Sequence, residues 1–460
     1  MVDAVLEQAR ELAEPLPPVP VALGLGKRGE LGVDLRPVDE GPVVAARLLA
    51  RVPVALAGGE KQGDHEEVAH GGCVPWAAMR YAATMRRAAV GLVIVASVGA
   101  AHGAPWTVTV EGGGEADTNV QRVETGPGLT THPVAAGVVR LGAKLGHRAK
   151  ALGGVYAFVA GALSRVVSES EASTENVALF TGELRYLRPI EDRHASLGLG
   201  VIAADAQPIT DGVGARTFRN VGVDGLLVLD GGDEGKTRNL TLGFGIRDFA
   251  YKENHDFDWV GPIASARLDL TLWQPSGGTR SLELATYVAF ESRSYASTAL
   301  ANACPPGAPP NDACSAGTSL PRRDRVQRVG LEVTWTGAFV AAAGYQLTVI
   351  DSNSYGQSLL RHKGTASVTR SLPLGLYGTA LATLQIDQYP DGLVLKTDTQ
   401  RSEFTSLDDE NRSSVQIRIG REVSSAWSLE GRGAIWRNLG GQMDASFRRA
   451  SLYVGAVYSR

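Results

Sequence analysis

From residue 106 onward the chain falls into runs of about ten residues in which apolar and polar side chains alternate, separated by clusters of Gly, Pro, Asn, Asp and Ser. Leu240, Leu242, Phe244 and Ile246 alternate with Thr241, Gly243, Gly245 and Arg247. Val329, Leu331, Val333 and Trp335 alternate with Arg328, Gly330, Glu332 and Thr334, and Val415, Ile417 and Ile419 with Gln416, Arg418 and Gly420. Successive side chains of a strand point to opposite faces, so each run has one apolar face and one face of charge or glycine. The pattern predicts sixteen strands, at 106–119, 134–146, 152–166, 177–188, 195–207, 217–230, 238–251, 260–273, 280–295, 325–336, 338–351, 359–371, 375–388, 412–423, 427–437 and 446–458. A soluble β-sandwich shows the same alternation. The number of runs, with no long amphipathic helix or second core to cover them, instead predicts an all-β transmembrane antiparallel up-and-down β-barrel of about 16 strands (range 14–18).

Two further patterns point the same way. Links between the runs alternate in length: 124–133, 167–176, 296–324 and 389–411 are long, whereas 147–152, 189–194, 275–279, 336–337, 372–375 and 423–426 are short. Short turns on one side and longer loops on the other are the habit of such barrels. Aromatic residues gather at strand ends. Trp106, Tyr186, Trp273, Trp335, Tyr377, Trp427 and Tyr458 lie near short turns, and Phe249, Trp259, Tyr295, Tyr389 and Trp436 near long loops. Placed outward, they predict two bands at the two bilayer interfaces; ordinary packing inside a barrel is the competing explanation.

The stretch before the first strand changes the domain count. After Met85-Arg86-Arg87, residues 88–101 are small and apolar, and His102-Gly103-Ala104-Pro105 follows. A basic start, a 14-residue apolar middle and a small-residue exit predict a secretory signal peptide over 79–103. The run is too short for a transmembrane helix, which needs about 20 residues. Cleavage after Gly103 leaves a barrel of residues 104–460. Residues 1–78 then read as sequence upstream of the true start, or as a disordered extension, with a genuine cytoplasmic extension as the competing reading. The exported part carries 35 Lys and Arg against 37 Asp and Glu, a balance that gives no reason to expect nucleic acid as partner.

Candidate chemistry is sparse. Cys304 and Cys314 bracket a Pro/Gly loop and predict a local disulfide in an oxidising compartment. On the strand register the inward face carries Arg140, Lys144, Glu183, Arg185, Asp224, Arg247, Arg267, Asp269, Glu283, Glu291, Arg293, Arg328, Glu332, Arg361, Lys363, Asp387, Arg418, Glu422, Glu430, Arg432 and Arg449. Such charges cannot face lipid, where Arg or Lys at the midplane costs about 2–4 kcal/mol. They line water or pair with one another, for instance Arg267 or Asp269 with Glu283. Arg140, Lys144, Arg185, Arg247, Arg267, Asp269, Glu283, Arg293, Arg328, Glu332, Arg418 and Arg432 are the candidate selectivity residues of a lumen. Gly-x-Ser-x-Gly and His-Glu-x-x-His motifs are absent. The loop Glu253-Asn254-His255-Asp256-Phe257-Asp258 is the best place for acid-base chemistry and reads more simply as a solvated loop, as does Asp408-Asp409-Glu410. No enzyme activity, cofactor or metal site is expected.

Gly114-Glu115-Ala116-Asp117-Thr118-Asn119-Val120 resembles the Asp-Ser/Thr-Asn-Val stretch that opens many bacterial outer-membrane barrels linked to surface polysaccharide or surface lipoprotein export. The final strand, with Leu452, Val454, Ala456 and Tyr458 in alternation, resembles the signal read by the barrel-assembly machinery. The resemblance implies a bacterial outer-membrane location, with outer-membrane lipid and the assembly machinery as partners. It also implies a channel or export pore for a small solute or polymer. No tetratricopeptide repeats precede the barrel, so polymer export would need a separate periplasmic partner. A structural or surface-interaction barrel with a plugged lumen is the alternative, and an omptin- or phospholipase-like enzyme the third reading.

Overall fold

A computed structural model describes residues 106–125, 132–190, 193–209, 217–231, 237–252, 255–275, 280–306, 315–390, 412–438 and 446–460. The expected extension at 1–78 and signal at 79–103 lie outside them. Sixteen strands follow in order: β1 (Trp106–Asp117), β2 (Ala136–Ala151), β3 (Gly154–Val167), β4 (Val177–Ile190), β5 (Ala195–Pro208), β6 (Phe218–Asp230), β7 (Arg238–Tyr251) and β8 (Trp259–Trp273). They continue with β9 (Ser281–Asn302), β10 (Ser315–Thr336), β11 (Val340–Ser352), β12 (Leu359–Leu372), β13 (Leu376–Gln388), β14 (Ser413–Glu422), β15 (Trp427–Arg437) and β16 (Arg448–Ser459). Each pairs antiparallel with its sequence neighbours, and β1 pairs with β16, so the sheet closes into a barrel without a free edge. The fold class read from the sequence holds. Backbone bonds between Val108 and Arg460 join the two ends of the described chain on the short-turn side.

The two faces separate as period two requires. Val139 and Leu141 on β2, Phe244 and Ile246 on β7, Val329 and Leu331 on β10, Ile417 and Ile419 on β14, and Leu452 and Val454 on β16 are all exposed, and they share one side of the wall. Phe244 is 68% exposed. Apolar side chains of this size encircle the barrel in a continuous belt, far beyond the few hundred Å² of apolar patch that a soluble monomer tolerates. The belt is a lipid-facing surface. Ile417→Arg is therefore expected to destabilise the folded barrel by about 2–4 kcal/mol in lipid, whereas Gln416→Arg, on the opposite face, should change it by less than about 1 kcal/mol. Urea unfolding in vesicles measures both, and equal effects would contradict the assignment of faces.

The long link expected at 296–324 is largely strand. β9 and β10 run on as a 22-residue pair, with Ala301 opposite Ala316 and Asn302 opposite Ser315. Above the bilayer no lipid demands outward apolar residues, so Ala, Ser and Thr replace the alternation while backbone pairing continues. The hairpin is tied to the β11–β12 connection: Leu300 N donates to Ser354 Oγ, and Asn353 Nδ2 donates to Pro321 O.

On the inner face, tyrosine rings lie flat across glycines on the neighbouring strand. Tyr377 covers its cross-strand partner Gly420, and Tyr287 covers Gly330. A Cβ at either glycine would sit 2.2 Å from a ring carbon, so only glycine lets the ring lie against the wall.

Candidate functional site: the inner wall

Every charge assigned inward from the sequence falls on the face opposite the apolar belt. They divide by burial. Two clusters at the long-loop end are buried ion pairs. Glu291 on β9 is completely buried and accepts from Arg293 at 3.1 Å and from Arg328 on β10 at 3.0 Å. The Arg293 guanidinium lies 4.6 Å from the Trp259 ring centre. Beside it Arg322 pairs with Asp324 at 2.7 Å and stacks 4.1 Å from the Tyr295 ring centre, and Ser352 Oγ donates to Asp324.

A second cluster spans the closing seam. Asp117, at the end of β1, accepts from Arg449 on β16 at 2.7 Å and from Arg165 on β3 at 2.9 Å. Glu115 accepts from Arg140 at 3.0 Å and from Arg449 at 3.3 Å. Arg449 also lies 4.3 Å from the Trp436 ring centre. Asn119 stitches the following turn: its backbone N–H donates to Asp117 Oδ1, and its Nδ2 donates to Val123 O and to Arg448 O. Val120 is fully buried with Val138, Val167 and Ala172. The Asp-Thr-Asn-Val stretch thus locks the first strand to the last.

Further along the wall, Arg247 grips Asp224 with two bonds of 2.7 Å, and Arg361 grips Asp387 with bonds of 2.8 and 2.9 Å. Glu430 accepts from Arg418, from Arg432 at 2.8 Å and from Tyr377 Oη at 2.7 Å, and Arg432 reaches Glu111 at 3.1 Å. Arg267 pairs with Asp269 at 2.9 Å and Arg185 with Glu183 at 2.8 Å, both partly open to solvent. The expected pairing of Arg267 or Asp269 with Glu283 does not form. Glu283 lies nearer the turn and accepts from Ser281 Oγ.

The expected selectivity residues therefore fall into two groups. Arg247, Arg293 and Arg328 are buried behind their carboxylates, and Arg140, Arg418 and Arg432 are held by theirs. Lys144, Arg185, Arg267, Asp269, Glu283 and Glu332 stand on the more open part of the wall. Among the described residues no group of His, Cys, Asp and Glu has the arrangement of a metal site. His255 is an exposed side chain that contacts Asp258 at 2.8 Å. Cys304 lies in the bend after β9, and Cys314 lies outside the described residues, as does Asp408-Asp409-Glu410.

The aromatic bands are half as expected. Trp106, Tyr186, Trp273, Trp335, Trp427 and Tyr458 share the outward face at the short-turn end. There Trp106 stacks on His147, Trp273 on Trp335, and Trp427 meets Tyr458. A bulge at Leu272 lets Trp273 reach that face, since strict alternation from Asp269 would turn it in. Trp259 and Trp436 are corrections. Both point inward and are buried, because each supplies the face on which a buried arginine stacks. Phe249 and Tyr295 also turn inward and join Trp259 in an apolar cluster with Leu179 and Phe218, and Tyr377 turns in to meet Glu430. The buried residues that sequence reading left out of the candidate set are Asp117, Glu115, Arg165, Glu175, Arg322 and Asp324. The motif at 114–120 and the parity of β10 were the available signals.

A closed antiparallel barrel of sixteen strands, with an apolar outer belt and a charged inner face, is a transmembrane barrel of the outer-membrane type. No protein-family model matches the sequence, and no curated protein does. Among solved structures it is similar to OmpF of Salmonella typhi in complex with daunomycin, with 10% identity over 78% of this chain and 98% of that one and a TM-score of 0.40. It is also similar to Pseudomonas aeruginosa OpdK with vanillate (11% identity, 77% and 99% covered, TM-score 0.38) and to CdiB from Acinetobacter baumannii (7%, 76% and 60%, TM-score 0.40).

Proposed function

We propose that this barrel is an outer-membrane channel for small hydrophilic solutes, without enzymatic activity. The observation that supports it is the mixed character of the inner wall: buried ion-pair clusters around Glu291, Asp117 and Glu430 stiffen it, and partly exposed charges such as Lys144, Arg185 and Glu283 stand between them. Sixteen strands enclose enough width for an aqueous path. Lys144, Arg148 and Lys150 follow one another along the inner face of β2, with Arg185 on β4; Glu283 and Glu332 stand on β9 and β10, across the barrel. Opposed walls of unlike charge orient a passing solute and set its sign preference. The other partners in this reading are outer-membrane lipid and the assembly machinery that reads the last strand, with 79–103 as the export signal. The reading also takes Cys304 and Cys314 as a disulfide pair, as two exported cysteines that bracket a Pro/Gly loop suggest.

Planar-bilayer recording tests the proposal. The protein should give discrete conductance steps, and Lys144→Glu should move the reversal potential in a salt gradient toward cation preference, by a severalfold change in permeability ratio. A variant with unchanged selectivity would remove Lys144 from the conducting path. A plugged, surface-interacting barrel is the second reading, favoured by the buried aromatic cluster around Phe249 and Trp259. Polymer export is less favoured, because the residues that carry the resemblance are committed to the seam.

A further inference from the structure

The rim of the barrel carries outward charges that neither the inner wall nor the lipid belt uses. On β6 and β7, Arg219 has Asp248 at 4.0 Å, and on β10 and β11, Arg325 stands directly opposite Asp351. Arg437 and Arg448 differ. They are cross-strand partners on β15 and β16, both exposed, on the same face as Ile435 and Leu452. Directly opposed side chains have Cβ atoms about 4.5–5.5 Å apart, so two like charges meet here. Among the described residues neither guanidinium has an ion-pair partner, and the outward neighbours are Ser413 opposite Arg437 and Thr118 beside Ala450.

Their height decides what they can meet. Arg437 lies ten residues above Trp427 on β15, and Arg448 ten above Tyr458 on β16; Trp427 and Tyr458 mark the lower interface. At about 3.3 Å per residue and a tilt near 40°, ten residues rise roughly 25 Å, the height of the apolar band of such barrels. The pair therefore sits where the hydrocarbon of the long-loop leaflet ends and its headgroups begin.

We propose that Arg437 and Arg448 form a docking site for a phosphorylated glycolipid of the outer leaflet, with a phosphate group held between the two guanidiniums and the acyl chains laid on Ile435 and Leu452. Each guanidinium presents a planar fork of donors that matches phosphate oxygens. An anion between them turns a repulsive pair into a bridged one. The site rests on the long-loop end facing the outer leaflet, and it does not depend on whether the lumen conducts.

Native mass spectrometry of the folded full-length barrel, equilibrated with bisphosphorylated lipid A, with its dephosphorylated form or with phosphatidylglycerol, tests the site. The protein should retain bisphosphorylated lipid A in preference to both others. Arg437→Gln with Arg448→Gln should reduce retention about tenfold, and the Lys substitutions should keep most of it. Arg219→Gln should leave it unchanged. Heat-dependent gel mobility verifies that each variant is folded, and either single Gln variant carries the test should the double variant fail to fold. Equal retention by the Gln variants, or equal retention of dephosphorylated lipid A, would overturn the proposal. Equal retention of phosphatidylglycerol would overturn the choice of glycolipid.

Discussion

Glu291→Gln is expected to lower the stability of the folded barrel by about 3–5 kcal/mol, the cost of removing one partner from a buried ion-pair cluster. Glu291 is wholly buried, and two guanidiniums, Arg293 and Arg328, converge on it. The amide keeps the size and shape of the side chain and loses its charge. Both arginines then lose the carboxylate that joins them in a dry environment, and the Trp259 face under Arg293 offsets only a fraction of that cost. Arg267→Gln provides the contrast. Its pair with Asp269 is about one-third exposed on both sides, and pairs of that kind contribute about 1 kcal/mol or less. Urea unfolding in vesicles measures the two. If Glu291→Gln costs no more than Arg267→Gln, the cluster is not the buried structural element described above.

Asp117→Asn is expected to loosen the seam specifically, at a cost of about 3 kcal/mol for a buried carboxylate that joins two arginines. Asp117 binds Arg449 on the last strand and Arg165 on the third, so its charge ties β1 to both. The backbone N–H of Asn119 still finds an acceptor at position 117 in the variant, which isolates the loss to the ion pairs. Hydrogen exchange should quicken at backbone amides around 115–118 and 449–453, while those of β7 and β8 keep their protection. Uniform quickening around the barrel would mean that the seam has no separate stability.

The strands were legible because lipid imposes one simple demand, an apolar residue at every second position. That is why the pattern at 240–246 or 415–419 named both the element and its outer face. What sits at strand ends was harder to read. Trp259 and Trp436 suit either a lipid interface or an arginine stack, and composition does not distinguish the two. Parity does: Trp259 has the parity of Arg267 and Asp269, and Trp436 that of Glu430 and Arg432. Carrying the inward assignment along the whole strand would have turned both indoles in, and the same rule applies to Phe249 after Arg247 and Tyr295 after Arg293. Trp273 is the reverse case, where the bulge at Leu272 breaks parity. The extended β9–β10 hairpin left no alternation to read, because above the membrane neither face requires apolar residues.

The charged inner wall was legible as a set, and its division into buried pairs and open charges was not. Burial of Arg328 and Arg247 depends on cross-strand register, and that of Arg293 also on the Trp259 ring of the neighbouring strand, neither of which spacing along one strand encodes. The motif at 114–120 was visible, but its work at the seam appears only once Arg165 and Arg449 are brought to Asp117 from positions far along the chain.

The central claim is that the open charges of the inner wall border a water-filled path. Single-channel recording of the purified, folded wild-type protein in a planar bilayer tests it most directly. Reproducible current steps are the predicted result, and folded protein inserted in the bilayer without any conductance would contradict it.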